Sequence, residues 1–214
     1  MTRIIVVRHG QSEANLQKLF AAHTDAKLTA LGRRQAEAVA EVIAATEKID
    51  VVYASDLSRA TDTVAPAAAR FGLSVIPDRD LREIWAGEWE NVPFGELRTN
   101  PAFVEDYGRW ATDMPHCRCT GGESVKEMYD RVVSEVLRIA ARHDGETVLI
   151  GTHWTPAMAL IVHALVGSAD GMAQSYNPIN AALQIFRYEN GRLILEAQNL
   201  TDHLKNIENE PYKP

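Results

Sequence analysis

Short β-branched apolar runs alternate with longer stretches in which apolar residues recur every three or four positions, and this alternation organises most of the chain. Residues 3–7 read as a buried strand, followed at once by a polar stretch holding His9 and Gly10. Thr29 opens a helix with Ala36, Val39, Ala40 and Ile43 on one face. Residues 51–54 form a second strand, with Ser55 or Asp56 as the cap of a helix that stops at Gly72. Residues 74–76 are a third strand, ended by Pro77. Further on, Ser124-Val125-Lys126-Glu127 is a capping box, and Val125, Met128, Val132, Val136 and Ile139 follow at helical spacing. Residues 147–151 are another strand, after which Thr155-Pro156 reads as a cap followed by proline at the first helical position. Two strands, 182–188 and 192–198, close the pattern around the turn Asn190-Gly191.

Residues 85–120 break this rhythm. They hold three of the four tryptophans, three prolines and both cysteines, with short helices expected near 94–99 and 102–111. This stretch is expected to be a lid-like insertion in a single domain spanning 1–214. Strands alternating with helices predict an α/β fold, a three-layer α/β/α sandwich with a mainly parallel central sheet and an antiparallel edge.

The chain has 214 residues and a formal net charge of −7, which argues against a broad nucleic-acid-binding surface. It offers no apolar run near the ~20 residues of a membrane span, and no signal-peptide pattern. Cys117 and Cys119 are too near in sequence to bridge without strain, so a reducing cytoplasm is the expected location, where the sequon Asn199-Leu200-Thr201 would go unused. Homo-oligomerisation is left open.

Three polar segments share a position. Arg8-His9-Gly10, Ser55-Asp56-Leu57-Ser58-Arg59 and Thr152-His153 each follow an expected strand and precede a helix. Ligands of such sheets sit beyond the carboxyl ends of the strands, where helix N-termini offer free N–H groups and arginines add charge-assisted contacts. An anion site, phosphate above all, is the expectation.

Arg8-His9-Gly10-Gln11-Ser12-Glu13-Ala14-Asn15 resembles the opening motif of the histidine phosphatase superfamily, the phosphoglycerate mutase-like family. Leu28-Thr29-Ala30-Leu31-Gly32-Arg33-Arg34-Gln35-Ala36 is similar to its second block, and Ser55-Asp56-Leu57-Ser58-Arg59-Ala60-Thr61-Asp62-Thr63 to its third. Leu81-Arg82-Glu83-Ile84, with Gly87 and Trp89-Glu90, resembles the block carrying its acid, and Gly121-Gly122-Glu123-Ser124 and His153 complete the order. The resemblance implies that His9 is the nucleophile and becomes phosphohistidine, with Arg8, Arg59 and His153 around the transferred oxygens and Glu83 as proton donor. Asn15, Ser12 and Gly10 belong to the same motif and are expected at the substrate, Gly10 by letting the backbone approach the anion. One departure is Trp154, where the family usually has glycine; it is expected at the pocket edge, either against the substrate or turned into the core.

The reading is a metal-independent phosphomonoesterase acting on small phosphorylated metabolites, with no cofactor. No metal-binding motif occurs; His116 with Cys117 and Cys119 imitates one but is read as a loop beside the pocket. A cofactor-dependent phosphoglycerate mutase is the alternative. The family's mutases carry a basic, tyrosine-bearing stretch after the glutamate, whereas Glu83 is followed here by apolar and acidic residues. A phospho-ligand-binding protein without turnover is a second alternative, disfavoured by the presence of both His9 and Glu83. Glu83 pairing with Arg82 or Arg79 would remove it from catalysis. Trp85, Trp89, Phe94, Tyr107 and Trp110 are candidates to line the pocket, and Arg98 or Arg118 to meet a second anionic group.

Overall fold

The apolar runs become one six-stranded sheet in the order β3-β2-β4-β1-β5-β6. Its strands are β1 (Thr2–Arg8), β2 (Val51–Ser55), β3 (Val75–Asp78), β4 (Thr147–Thr152), β5 (Leu183–Glu189) and β6 (Arg192–Leu200). The first four are mutually parallel, and β5 and β6 add an antiparallel hairpin. The helices are α1 (Glu13–Gln17), α2 (Ala30–Thr46), α3 (Ser58–Arg70), α4 (Phe94–Leu97), α5 (Val104–Thr112), α6 (Val125–Arg142) and α7 (Trp154–Leu165). The computed structural model describes residues 1–174 and 176–207; of the domain expected over 1–214, position 175 and residues 208–214 lie outside the described residues.

The layers follow from alternation along β1. Ile4 and Val6 face α6 and α7, while Ile5 and Val7 face α2 and α3, and all four are fully buried. Burial on both faces is what a central parallel strand requires, and each such side chain contributes roughly 1.5–3 kcal/mol. This is the three-layer α/β/α sandwich. Among the described residues no helix is long and apolar enough to cross a membrane.

Local signals set most boundaries. Thr29 caps α2 by accepting the Gly32 N–H, and Ser124 and Glu127 form the reciprocal box at the start of α6. Asn190 and Gly191 both take positive φ, 52° and 77°, as a tight hairpin turn demands. Three boundaries differ from expectation. Strand β3 continues through Pro77 to Asp78 because it is the sheet edge, where a missing N–H breaks no ladder. Helix α3 is preceded by Leu57 without a side-chain cap, since Ser55 and Asp56 are engaged by His153 and Arg82. Helix α7 begins at Trp154, with His153 in the capping position, so Pro156 is its third residue; a first-turn N–H has no partner within a helix, and its loss is tolerated there.

The stretch 85–120 lies against the α6/α7 side of the core, with Trp89, Leu97 and Cys119 fully buried. Its short helices α4 and α5 fall near the expected places. Burial raises the Cys117 thiol to about 11 and pushes Cys119 up as well, so both are unreactive packing residues.

Two glycines join the first loop to α2. A Cβ on Gly32 would lie 2.1 Å from the Gln11 carbonyl oxygen, and one on Gly10 would lie 2.6 Å from the Gly32 carbonyl oxygen. Alanine in a helix interior is ordinarily favoured over glycine by about 1 kcal/mol, but here the added methyl meets backbone that cannot rotate away. Gly32→Ala is therefore expected to destabilise the protein by about 1–3 kcal/mol in urea unfolding, despite the better helix former.

Candidate active site

The parallel register decides which loops meet. Arg8 pairs with Thr152 and Ala54 with Gly151, so β1, β2 and β4 end level with one another. The His9 N–H extends the ladder by donating to the Thr152 carbonyl at 2.8 Å. His9, Ser55 and His153 thus emerge side by side, with the rings of His9 and His153 centred 5.2 Å apart. Arg59 arrives from the first turn of α3 and Glu83 from the loop after β3. A cavity of about 290 Å³ opens here, lined at its base by Arg8, His9, Arg59 and Glu83.

The imidazole of His9 is buried and locally oriented. Its Nδ1 lies 2.7 Å from the carbonyl oxygen of Gly10, an acceptor, so the ring proton belongs on Nδ1 and Nε2 keeps its lone pair. Burial pushes the His9 pKa well below its ordinary value, and the Arg59 and Arg8 guanidinium groups push it further. His153 is also held neutral, by burial first and then by Arg59. Its Nε2 lies 2.8 Å from the Ser55 hydroxyl, which also accepts the Leu57 N–H at 3.4 Å. Ser55 thereby has its O–H to give, and His153 is left with a proton on Nδ1, a buried atom without a partner among the described residues.

Arg59 is a buried cation and Arg8 a half-buried one, and among the described residues neither forms an ion pair. Arg59 donates to the carbonyls of Ala22 and Thr24 at 2.6 and 2.8 Å. Arg8 donates to the carbonyl of Pro178 at 2.9 Å, and its Nε is buried without a partner. Burial lowers the Arg8 pKa to about 10, opposed by the charge of Glu83 and reinforced by that of Arg59, so it remains cationic at neutral pH. Two largely desolvated positive charges and unsatisfied donors are costly to assemble, and an anion is the ligand whose binding would offset that cost.

Glu83 does not pair with its arginine neighbours, because Arg82 and Arg79 both turn to Asp56. Its carboxylate accepts the Ile84 N–H at 2.9 Å and the N–H groups of Trp154 and Thr155 at 3.1 and 3.3 Å. It occupies the N-terminus of α7 in the place where Thr155 was expected as cap. The loop behind it is braced by Arg131 of α6, which donates to the carbonyls of Asp80, Arg82 and Glu83 and pairs with Glu123 at 2.8 Å. His23 Nε2 adds a contact of 2.9 Å to the Glu83 carbonyl.

The remaining expected residues divide. Asn15 lines the cavity, and its Oδ1 accepts from Ser12 and Asn180, leaving its amide N–H groups as what it can offer an anion. Ser12 lines the cavity too, but its hydroxyl caps α1. Gly10 lies outside the cavity lining; its N–H goes to Thr63 and its Cα abuts Gly32, so close helix packing accounts for the glycine. Trp154 faces the cavity, with its indole N–H given to Asn177 at 2.8 Å. Of the aromatic candidates, Phe94 and Trp110 line the cavity, Trp89 and Tyr107 pack behind them, and Trp85 is half-exposed beside His23. Arg118 is tied to Glu127, and Arg98 is exposed away from the cavity lining.

Asn180 was not anticipated. It donates to the His9 carbonyl at 2.8 Å, while the Ala181 N–H reaches the carbonyls of Arg8 and His9. The Asn-Pro-Ile-Asn run at 177–180 is a turn signal just before β5, the neighbour of β1, and that adjacency is the clue that places it here.

Among the described residues no group of three or more His, Cys, Asp or Glu side chains is arranged to hold a metal ion. The family model described as the histidine phosphatase superfamily (branch 1) matches residues 4–201. Phosphoglycerate mutase-like protein 4 of Arabidopsis thaliana is 34% identical over 88% of this chain and 80% of its own length. Phosphoserine phosphatase 1 of Hydrogenobacter thermophilus is 30% identical over 100% of this chain and 99% of its own. In three dimensions, phosphoserine phosphatase of Entamoeba histolytica, solved in complex with 3-phosphoglyceric acid, superposes with a TM-score of 0.83 at 27% identity, covering 95% of this chain and 100% of that one.

Both buried imidazoles resist a proton that the unfolded chain accepts near pH 6.5. Below that pH the unfolded state binds more protons, so stability is expected to fall as the pH drops from 6.5 toward the folded-state values. Long-range proton–nitrogen NMR spectra should show His9 in the Nδ1–H neutral form throughout pH 6–8, while exposed His116, raised by Asp113, titrates at higher pH than an ordinary histidine. Protonation of His9 within that window would contradict the electrostatic description.

Proposed function

The chain belongs to the histidine phosphatase superfamily (branch 1), and from that premise we propose that it hydrolyses small organic phosphate monoesters without a metal, through a phosphohistidine on Nε2 of His9. The observation that carries this reading is the buried imidazole held neutral, its proton on Nδ1, set between two guanidinium groups that form no ion pair among the described residues.

In the first step the Glu83 carboxylate takes the proton that the phosphate monoester monoanion brings; Nε2 then attacks phosphorus, the bond to the leaving oxygen breaks, and Glu83 passes that proton to the departing alkoxide. The Nδ1 proton stays where it is, and the Gly10 carbonyl supports the positive charge that the phosphorylated ring acquires. Arg8, Arg59, the Nδ1–H of His153 and the amide of Asn15 hold the phosphoryl oxygens; their fixed positive field does the work that a metal does elsewhere. In the second step water attacks phosphorus, Glu83 takes its proton, the N–P bond breaks, and neutral His9 returns. The N–H groups of Trp154 and Thr155 hold the Glu83 carboxylate in one place for both transfers.

A mutase must hold a sugar-acid carboxylate at a distance from the phosphoryl group. Among the described residues the cavity lining has no cation beyond Arg8 and Arg59, and Ile84, Ala86 and Trp89 after the glutamate are buried. That lining favours hydrolysis.

In excess EDTA, the protein is expected to release phosphate from alkyl and aryl esters, and His9→Ala to release none. Glu83→Gln should slow alkyl esters by roughly 10²–10⁴ and p-nitrophenyl phosphate, whose leaving group needs no proton, far less. Interconversion of phosphoglycerates in the presence of 2,3-bisphosphoglycerate with little hydrolysis would overturn the proposal, as would equal effects of Glu83→Gln on both ester types for the role of Glu83.

A further inference from the structure

Among the described residues, the charged side chains that line the cavity are Arg8, Arg59 and Glu83, and the proposed phosphoryl site uses all three. The large apolar side chains of the lining are Leu19, Phe20, Phe94, Trp110 and Trp154, an apolar wall of the same cavity. Resting on the phosphatase reading, we infer that the alcohol part of the substrate is uncharged and apolar, and that Trp154 and Trp110 select it.

Three observations support this. The first is charge. A phosphorylated amino acid or sugar acid would bring a carboxylate, and in the amino acid an ammonium, against a wall that offers neither counter-charge. The indole N–H of Trp154, one of its polar atoms, is already given to Asn177. Leaving such a charge desolvated and unpaired costs several kcal/mol, so the wall discriminates against it. The second is size. The cavity measures about 290 Å³ and opens to solvent, and ~150 Å³ suffices for one benzene ring, so it has room for a phosphoryl group and one ring. The third is rigidity. Trp110 is held edge-on by Phe20 at 5.5 Å and by Trp89 at 6.1 Å, and Trp154 is fixed by Asn177 and lies 6.5 Å from Trp110 at a shallow angle of 35°. Two indoles from different parts of the chain, one at the start of α7 and one in α5, thus present a preformed apolar face, and preformed contacts lose little entropy on binding. By this account the phosphoserine specificity in the names of its relatives does not extend to this chain.

The test compares kcat/KM for 2-phenylethyl phosphate and O-phosphoserine with the full-length protein in EDTA. Serine is no worse a leaving group than phenylethanol, so a preference for the phenyl ester reports the pocket and not the chemistry. The phenyl ester is expected to be favoured by roughly 10–200-fold, the range that apolar pocket contacts achieve. Trp154→Gly, which keeps the backbone N–H that meets Glu83, and Trp110→Ala should each shrink that ratio mainly through a higher KM for the phenyl ester. Calorimetric binding of benzylphosphonate and of 2-amino-3-phosphonopropionate reads the same preference without turnover. Phosphoserine turned over as well as or better than the phenyl ester, or a ratio untouched in both tryptophan variants, would overturn the inference. Tight and selective binding of benzylphosphonate with no hydrolysis of any ester would instead retain the pocket inference and overturn the phosphatase reading.

Discussion

A buried imidazole stays neutral beside two guanidinium groups, the condition that the proposed nucleophile requires, and the rest of the site is arranged around it. Burial and positive charge both disfavour the imidazolium, so the same arrangement that attracts the anion keeps Nε2 unprotonated. The Gly10 carbonyl then chooses which nitrogen carries the remaining proton. In the proposed reaction no separate general base is needed to activate the nucleophile, and Glu83 is left with the leaving group and the incoming water.

The cost of burying that much positive charge is spread over backbone carbonyls. Ala22 and Thr24 take Arg59, and Pro178 takes Arg8. Those acceptors come from loops that the sheet order brings together: the loop after α1 and the turn before β5. Ala22 and Ala181 adopt positive φ in these loops, 45° and 59°, conformations that cost non-glycine residues energy and that persist because the surrounding contacts over-determine them. On the other side, Arg131 gathers the carbonyls that present Glu83. Stability and function therefore share one set of contacts.

The sheet, its order of helices and the convergence of His9, Arg59 and His153 were legible in the sequence, because buried parallel strands leave continuous apolar runs and the chemistry sits just past them. The two misplaced caps, before α3 and α7, share one cause: a partner distant in sequence competes with the local capping signal. Ser55 and Thr155 both carry strong local capping signals, yet Ser55 turns to His153 and the start of α7 is served by Glu83 from 71 residues away in sequence. No local pattern records such long-range competition. Gly10 was assigned to the ligand, and its contact with Gly32 depends on how α2 docks, which the motif alone does not describe. The aromatic wall was half-legible. The tryptophans of 85–120 marked a pocket-shaping segment, but which of them faced inward depended on packing: Trp89 became core, Trp85 turned outward, and Trp110 met Trp154.

The most direct test of the central claim is to trap the covalent intermediate. The protein would be mixed with substrate, quenched with alkali within a turnover, and digested for mass spectrometry, with ³¹P NMR of the quenched protein to identify the linked nitrogen. The account predicts stoichiometric phosphoryl on His9, linked through Nε2. Phosphoryl on another residue, linkage through Nδ1, or turnover without any protein-bound phosphoryl would contradict it.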